Sequence, residues 1–342
     1  MELFPCQQRL DAYKYPVLTL PNELTSEIFD HFLPRYPDCP PLSGLKSPTI
    51  LTYICRKWRE IALANPKLWR AFSTDYTSSS KHLKQAEQIR AVRTWLERSG
   101  FHPLSIQLAI SYINEAPNEA FVAILLHRQR WQHVHLDLAA EEVDLIKGPM
   151  PLLESLTIEV DGMDYTHPVT TANDFPRLRA VTLDNADHWN WLPISQLTSL
   201  TFEDVEPASY LPALLSAVNL IRLNLVDCYP DVASQGSIVL HRLKTLVVVK
   251  SHPSNISQIL EMFTLPALRT LHISAELLGQ DPSSSLTPLI TRSGCQLQEV
   301  LIAGASDFSE ESFRAAFPSI PNITFDGRYS WYTKARRLRD TF

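Results

Sequence analysis

Apolar residues recur in one pattern, apolar-x-x-apolar-x-apolar, from about residue 101 to residue 327. Successive strong copies are separated by 19 to 29 residues and begin at Trp131, Leu153, Leu178, Leu197, Leu220, Leu243, Leu268 and Leu297. Weaker copies begin at Phe101 and Ile320. A short strand with a return segment buries its apolar edge only by stacking on a neighbouring copy. The pattern therefore predicts an array of stacked units that share one parallel sheet.

Return segments between these predicted strands differ in regularity. The periodicity of residues 210–218, 256–263 and 309–317 predicts helices, whereas residues 187–195 are too irregular for an assignment. A further helix is predicted over residues 81–98, because its apolar residues share one face and Ser99-Gly100 ends it.

A different pattern occupies residues 20–69. Leu24, Ile28 and Phe32 recur at i, i+4 and i+8, which predicts a helix that begins near Pro21. Ser47-Pro48 provides an N-cap and a first-turn proline for a second predicted helix. That helix ends before Pro66 and carries Ile50, Leu51, Ile54, Cys55, Trp58, Ile61 and Ala62 toward one side. About fifty residues bury too little surface to be stable alone, so the remaining apolar face must meet the rest of the chain or a partner.

The residue types of this segment resemble an F-box. The match consists of Leu20-Pro-x-Glu-Leu-x-x-x-Ile28-Phe29 followed by Ile54-Cys55-Arg56-x-Trp58-Arg59-x-Ile61-Ala62-x-x-x-Pro66-x-Leu68-Trp69. It is similar to the form found in fungal F-box-like proteins, with a longer proline-rich insertion at residues 34–45. The resemblance implies docking on a Skp-type linker protein of a cullin–RING ubiquitin ligase. The implied docking residues are Leu20, Pro21, Leu24, Ile28, Cys55, Trp58, Ile61 and Trp69.

The repeats resemble the leucine-rich-repeat family. The Asn or Cys that this family places after the third apolar position is nearly absent here, although Cys228 fits. We therefore expect an α/β protein in which an all-α F-box-like unit precedes an irregular solenoid without a continuous asparagine ladder. The resemblance implies a parallel sheet on the concave face and helices and loops on the convex face. The expected domains are an N-terminal tail (1–16), an F-box-like domain (17–73), a linker and connecting helix (74–100), the solenoid (101–327) and a basic tail (328–342).

Composition narrows the classes of function. The net charge of −6 gives no reason to expect nucleic-acid binding, and no apolar run is long enough to span a membrane. The first fifteen residues do not resemble a signal peptide. Five dispersed cysteines without a CxxC pair favour a reducing compartment, which we expect to be the cytoplasm, the nucleus or both.

Motifs of catalysis are absent from the sequence: it contains no nucleophile elbow, Walker loop, HExxH or dinucleotide fingerprint. We therefore expect neither enzymatic activity nor a cofactor. His133 and His135 would lie on one side of a strand, but without a third ligand nearby they favour two surface histidines over a metal site. Residues 161–164 favour a turn over a calcium loop. The basic cluster at residues 334–339 is either solvated tail charge, a nuclear import signal or a contact for an acidic partner.

The residue after the third apolar position is acidic in four successive repeats. These residues are Asp137, Glu159, Asp184 and Glu203, and the following repeats have Val226, Val249, Ser274 and Ala303. Since parallel strands lie about 4.8 Å apart, the four carboxylates would form a ladder. The ladder is either splayed into solvent or a stripe that recruits a basic segment of a target. We expect Val247, Val249 and Leu301 to be exposed on the same face, as apolar parts of a target-binding surface.

Two functional hypotheses follow. In the first, the chain is the substrate-recognition adaptor of a Skp–cullin–F-box ubiquitin ligase, with the N-terminal unit on the linker and the repeats on a target protein. In the second, the chain is a scaffold unconnected with ubiquitin, and the F-box-like helices cap the array. Solvent-exposed Leu20, Pro21 and Ile28 would favour docking. Burial of Trp58 and Leu24 against residues 81–130 would favour capping.

Overall fold

The computed structural model describes residues 19–35, 38–74, 85–109, 119–161, 174–185, 191–228, 237–250, 257–279, 281–304 and 309–326. Contacts divide the chain into two units. Unit 1 comprises Met1–Ala109 and Ala116–His127, and unit 2 comprises Ile110–Glu115 and Arg128–Phe342. The expected tails 1–16 and 328–342 lie outside the described residues.

Unit 1 is mainly helical. Its helices are α1 (Asn22–Asp30), α2 (Leu51–Ile54), α3 (Arg56–Ala64), α4 (Gln85–Arg98) and α5 (Glu119–Leu125). Short 3-10 turns span Pro48–Ile50 and Pro66–Trp69. Strand β1 (Ala71–Ser73), which the sequence did not predict, pairs in parallel with β2 (Leu104–Leu108).

The second predicted helix is interrupted at Cys55, so the expectation of one continuous helix is wrong. Cys55 has extended backbone angles (φ −156, ψ 169) and serves as the N-cap of α3, where its Sγ accepts a hydrogen bond from the Trp58 N–H at 3.4 Å. The preceding residues Thr52, Tyr53 and Ile54 have low helix propensity, so interrupting the helix here costs little free energy. The predicted Ser47 N-cap is confirmed, since its side chain accepts a hydrogen bond from the Thr49 N–H.

Tryptophans form the centre of unit 1. Trp69 and Trp95 pack edge to face with ring centroids 5.1 Å apart, and Phe72 lies 5.9 Å from Trp95. The Trp69 indole N–H donates to the Ala62 carbonyl at 3.0 Å, so its polar atom is satisfied in the interior. These contacts join α4 to the turn and strand that follow α3.

Unit 2 is built from parallel strands. In chain order they are β3 (Trp131–Ala139), β4 (Ser155–Asp161), β5 (Ala180–Asp184), β6 (Ser199–Glu203), β7 (Arg222–Val226), β8 (Ile238–Val239), β9 (Thr245–Val249), β10 (Phe263–Thr264), β11 (Thr270–Ser274), β12 (Glu299–Ala303) and β13 (Asn322–Asp326). Apart from β8 and β10, which pair with each other, these strands are neighbours in sequence order within one sheet. Each strong copy of the apolar pattern supplies one strand of this sheet, so the predicted parallel sheet of repeating strands is confirmed.

Return segments in unit 2 are short. The described helices are α6 (Ala140–Val143), α7 (Pro207–Ser216), α8 (Pro282–Ser293) and α9 (Glu310–Ala316). The predictions at 210–218 and 309–317 correspond to α7 and α9. The segment predicted as a helix at 256–263 instead forms a 3-10 turn over Ser257–Met262.

The chain leaves several strands by the same turn. Asn185, Asp204 and Asp227 each follow the last residue of a strand and have positive φ angles of 49, 50 and 52. Asn and Asp are the residues other than Gly that best tolerate this left-handed conformation. The N–H of each donates to the carbonyl of the last residue of the neighbouring strand in the sheet, at 2.9 to 3.0 Å. The turn thus continues the ladder of hydrogen bonds past the ends of the strands.

Candidate partner-binding surfaces

Helix α1 presents apolar side chains on its outer face. Leu24 is 49% exposed and Ile28 is 53% exposed, and side chains four residues apart are neighbours on one helix face. On another face of the same helix, Thr25 and Phe29 are buried. Phe29 packs edge to face on Trp58 of α3, with ring centroids 5.0 Å apart. Helix α1 is therefore held by one face and leaves the other accessible.

Most of the other implied docking residues are less exposed than Leu24 and Ile28. Leu20, Cys55 and Trp58 are half-buried, Pro21 is exposed, and Ile61 and Trp69 are buried. The Leu20 carbonyl accepts a hydrogen bond from Lys57 Nζ at 2.8 Å. Ile61 and Trp69 thus stabilise the interior of unit 1, and the accessible part of the implied set is concentrated on α1.

Helix α2 adds exposed apolar residues that the sequence did not single out as docking residues. Tyr53 is 74% exposed and Ile54 is 55% exposed, and α1 and α2 both contact α3. Their exposure follows from the interruption at Cys55, which a continuous helical pattern does not reveal. We call the exposed apolar residues of these two elements the docking set: Pro21, Leu24, Ile28, Tyr53 and Ile54.

A buried amide fixes the position of α1. Asn65 precedes the Pro66–Trp69 turn, and its Nδ2 donates to Ser26 Oγ at 2.9 Å and to Asp30 Oδ1 at 2.8 Å. Its Oδ1 accepts from the Lys67 N–H at 3.1 Å. One side chain therefore links the end of α3 to two successive turns of α1, and the exposed face of α1 is held in place.

The sheet of unit 2 carries three rows of residues on the face opposite its apolar core, which we call the sheet face. Alternation along each strand places Leu156 and Ile158 in the core and Ser155, Thr157 and Glu159 on the sheet face. The middle row contains His135, Thr157, Thr182, Thr201, Asn224, Val247, His272, Leu301 and Thr324. The last row begins with Asp137, Glu159, Asp184 and Glu203, and continues on later strands with Val226, Val249, Ser274, Ala303 and Asp326.

The four acidic residues are paired in register on β3 to β6, so the predicted carboxylate ladder is confirmed. We call these four residues the acidic row. Their exposure changes along it: Asp137 and Glu159 are half-buried, Asp184 is buried, and Glu203 is only 2% exposed. The expectation of side chains splayed into solvent is therefore wrong for Asp184 and Glu203.

The predicted exposure of Val247 and Val249 is also wrong. Val247 is 3% exposed and Val249 is 5% exposed, whereas Leu301 is half-buried. Val247 lies between Asn224 and His272 in register, so longer side chains flank it on both sides. The middle of the sheet face is thus an enclosed surface, and its role in target binding stays a prediction.

His135 lies on β3, the first strand of unit 2. Its Nε2 lies 3.8 Å from Oε2 of Glu159, a member of the acidic row.

Within the part of the chain that the structure describes, no group of three or more His, Cys, Asp or Glu side chains is arranged to hold a metal ion. Most of the 161–164 segment lies outside the described residues. Among the described helices, none is both long enough and apolar enough to span a membrane.

Comparison with known proteins does not assign the chain to a family: it matches no protein-family model and no curated protein sequence. The fold defines only the structural class of the protein. It is a mixed α/β protein in which repeated strand units form one long parallel sheet in unit 2.

Proposed function

We propose that this chain is the substrate-recognition adaptor of a Skp–cullin–F-box ubiquitin ligase. Unit 1 docks on a Skp-type linker protein through the docking set, and unit 2 holds a target protein. The observation that carries the proposal is the exposed apolar face of α1 and α2. It occurs within the segment whose residue types resemble an F-box.

Burial of this face supplies a driving force for docking. Leu24 and Ile28 keep about half of their surfaces exposed, and enclosing that remainder stabilises a complex by on the order of 1 kcal/mol for each side chain. Tyr53 offers a large aromatic surface with a polar tip, a residue type that is enriched at protein interfaces. Several exposed apolar residues on two elements that contact the same helix are typical of an interaction surface rather than of scattered surface residues.

The mechanism of such an adaptor is proximity. The chain performs no chemistry on the target, and its two units bind different proteins. Holding a target beside a ubiquitin-loaded enzyme raises the effective concentration of the target lysines near the reacting thioester. The rate of ubiquitin transfer then depends on how the adaptor positions the target relative to the ubiquitin-loaded enzyme.

A scaffold role unconnected with ubiquitin is the competing function, and one observation favours it. Trp69, part of the F-box-like pattern, is buried against Trp95 of α4, so some residues of the pattern serve internal packing. The two functions differ in what happens to Leu24 and Ile28. Docking requires that a partner bury them, whereas a scaffold leaves them in solvent.

The test is a titration of the purified full chain with a purified Skp-type linker protein, measured by calorimetry. The double variant Leu24→Asp/Ile28→Asp should bind at least about 30-fold more weakly, because about 2 kcal/mol of apolar burial is lost. The control is Leu126→Asp, which places the same acidic side chain at an exposed leucine of unit 1 outside the docking set. Unchanged affinity of the double variant, or no binding by folded wild type, would support the scaffold function instead.

A further inference from the structure

Five strands of unit 2 are each preceded by a residue that lies at the edge of the sheet, where the chain comes into the strand. We call these residues the edge row, which runs across β5, β6, β7, β9 and β11 and consists of Arg179, Thr198, Ile221, Lys244 and Arg269. From Thr198 onward, the N–H of each donates to the carbonyl of the residue before it in the row, at 2.8 to 2.9 Å. The edge row therefore has a fixed register across neighbouring strands.

This edge of the sheet is strongly basic. The stretches that lead into the five strands contain six Lys or Arg residues and no Asp or Glu; they are residues 176–180, 196–199, 218–222, 241–245 and 266–270. All six cations are exposed except half-buried Arg222, and they are Arg177, Arg179, Arg222, Arg242, Lys244 and Arg269. The next strands on either side carry Glu154 and Glu299 at their starts, which limits the basic stretch to β5 through β11.

The charge of this edge is not compensated within the described part of the chain. None of the six cations forms an ion pair with a carboxylate there. Arg242 Nη1 donates to a neutral acceptor, Asn219 Oδ1, at 2.8 Å. Burial lowers the pKa of Arg222. A carboxylate brought to this edge by a partner would therefore gain from cations that are already in place.

Exposed apolar residues lie within the same edge. Leu215 at the end of α7 is 68% exposed and Val218 in the turn to β7 is 62% exposed, more than the leucine and isoleucine of α1. Ile221 of the edge row is exposed as well. Asn219 holds this turn, since its Nδ2 donates to the Ser195 carbonyl at 2.8 Å. Exposed apolar residues with a polar rim mark interaction sites. We call the three apolar residues and the six cations the edge surface.

Spacing along the edge row defines the form of a matching partner. With about 4.8 Å between strands, the backbones of Lys244 and Arg269 lie roughly 5 Å and 10 Å from Ile221 on one side. Arg179 lies roughly 10 Å away on the other side. An extended peptide covers 10 Å in about three residues. A segment with an apolar centre and acidic residues about three positions to either side therefore matches the edge surface.

The apolar centre favours a peptide over a nucleic acid. Proteins that hold single strands stack the bases on aromatic side chains, whereas Leu215, Val218 and Ile221 are aliphatic. Duplex binding rests on contacts between cations and phosphates, to which exposed aliphatic residues contribute little. An acidic peptide segment supplies both an apolar side chain and carboxylates.

We propose that unit 2 binds an acidic segment of a partner protein on the edge surface. An apolar side chain of the segment packs on Leu215, Val218 and Ile221, and its carboxylates lie on the cations to either side. Identifying this partner as the target of the adaptor rests on the function proposed above, but the binding itself does not. The edge surface is distinct from the sheet face and its acidic row.

Fluorescence anisotropy of the purified full chain with a labelled peptide tests this binding without any linker protein. The probe consists of Leu-Phe-Leu with three Glu residues on each side. It should bind at least about tenfold more tightly than the same peptide with Lys in place of Glu, and added salt should weaken its binding. No binding of the Glu probe, equal affinity for the two peptides, or tighter binding of single-stranded or duplex DNA would overturn the proposal. Such a failure leaves the linker titration of unit 1 unaffected.

Variants then test the location of the site. Lys244→Glu/Arg269→Glu should weaken binding of the Glu probe at least about tenfold, because two attractions become repulsions. The matched control Lys46→Glu/Arg90→Glu reverses the same two charges at exposed positions of unit 1 and should leave the affinity within about twofold. Equal affinities of these two variants would overturn binding on the edge surface.

A second variant tests the apolar centre of the edge surface. Leu215→Ser/Val218→Ser removes exposed apolar area without changing charge and should weaken binding of the Glu probe at least about threefold. Its melting temperature should match that of wild type, since both side chains are exposed. Unchanged affinity of this variant would contradict packing of the partner on the apolar centre.

Discussion

Single residues of the F-box-like pattern have two different roles. Trp69 is buried, donates its indole N–H to Ala62, and lies under the Arg98 guanidinium, whose carbon is 4.6 Å from the ring centroid. Leu24 and Ile28 have no such enclosure. A sequence pattern records both kinds of apolar residue alike, since it carries residue type and spacing but not exposure. The structure separates the residues that form the interior of unit 1 from those that remain exposed on its surface.

Cys228 provides a test of packing in unit 2 at the residue scale. Burial raises the pKa of its thiol to about 12, so it stays neutral in the folded chain at pH values where an unfolded thiol ionises. The free energy of unfolding is therefore highest below the pKa of the unfolded Cys228 thiol. It falls as the pH rises from that value toward the pKa of the folded thiol. Above pH 9, we expect the free energy of unfolding to fall by up to about 1.4 kcal/mol per pH unit from this group. Burial also raises the pKa of Tyr210, which adds to the loss at higher pH.

Urea denaturation between pH 8 and pH 11 measures this dependence. Cys228→Ala should be less stable than wild type at pH 8 but should lose less stability as the pH rises, because Tyr210 remains and Cys228 does not. Parallel pH profiles for the two proteins would show that the Cys228 thiol is not buried as described.

At the scale of elements, the strands were predictable and the interruption between α2 and α3 was not. Each strand of the sheet repeats the same apolar spacing, and every copy must bury its apolar edge, so the pattern determines where β3 to β7 lie. In residues 48–64 the apolar stripe runs through Cys55 without a change of period. The interruption depends on a local hydrogen bond to the Trp58 N–H, which spacing does not encode. The exposed positions of Tyr53 and Ile54 were missed for this reason.

The repeated turn after the strands gives a prediction at this scale. Asp204 is exposed and has a φ angle of 50, a conformation that β-branched residues adopt only with strain. Asp204→Val should lower the free energy of unfolding by about 1–2 kcal/mol, whereas the matched Asp204→Gly should leave it unchanged or slightly higher. Urea denaturation of both variants at pH 7 provides the measurement. Equal stability of the valine and glycine variants would contradict the left-handed turn.

At the scale of the whole molecule, each unit has its own surface and its own proposed partner. The register of the acidic row followed from the spacing of the repeats, because residues at equivalent positions of neighbouring parallel strands align. The burial of Val247 and Glu203 did not follow, because enclosure depends on which distant residues approach the sheet face. Docking on unit 1 and target binding on the sheet face of unit 2 are therefore separate questions.

Hydrogen exchange of the full chain, alone and with an excess of a purified Skp-type linker protein, tests the central claim most directly. The adaptor function requires that amides in residues 20–30 and 51–58 exchange more slowly in the complex, while α5, which exposed Leu126 follows directly, is unchanged. Unchanged exchange throughout residues 19–74, or protection confined to unit 2, would contradict docking through α1 and α2. In that case the exposed apolar face of unit 1 would serve another partner.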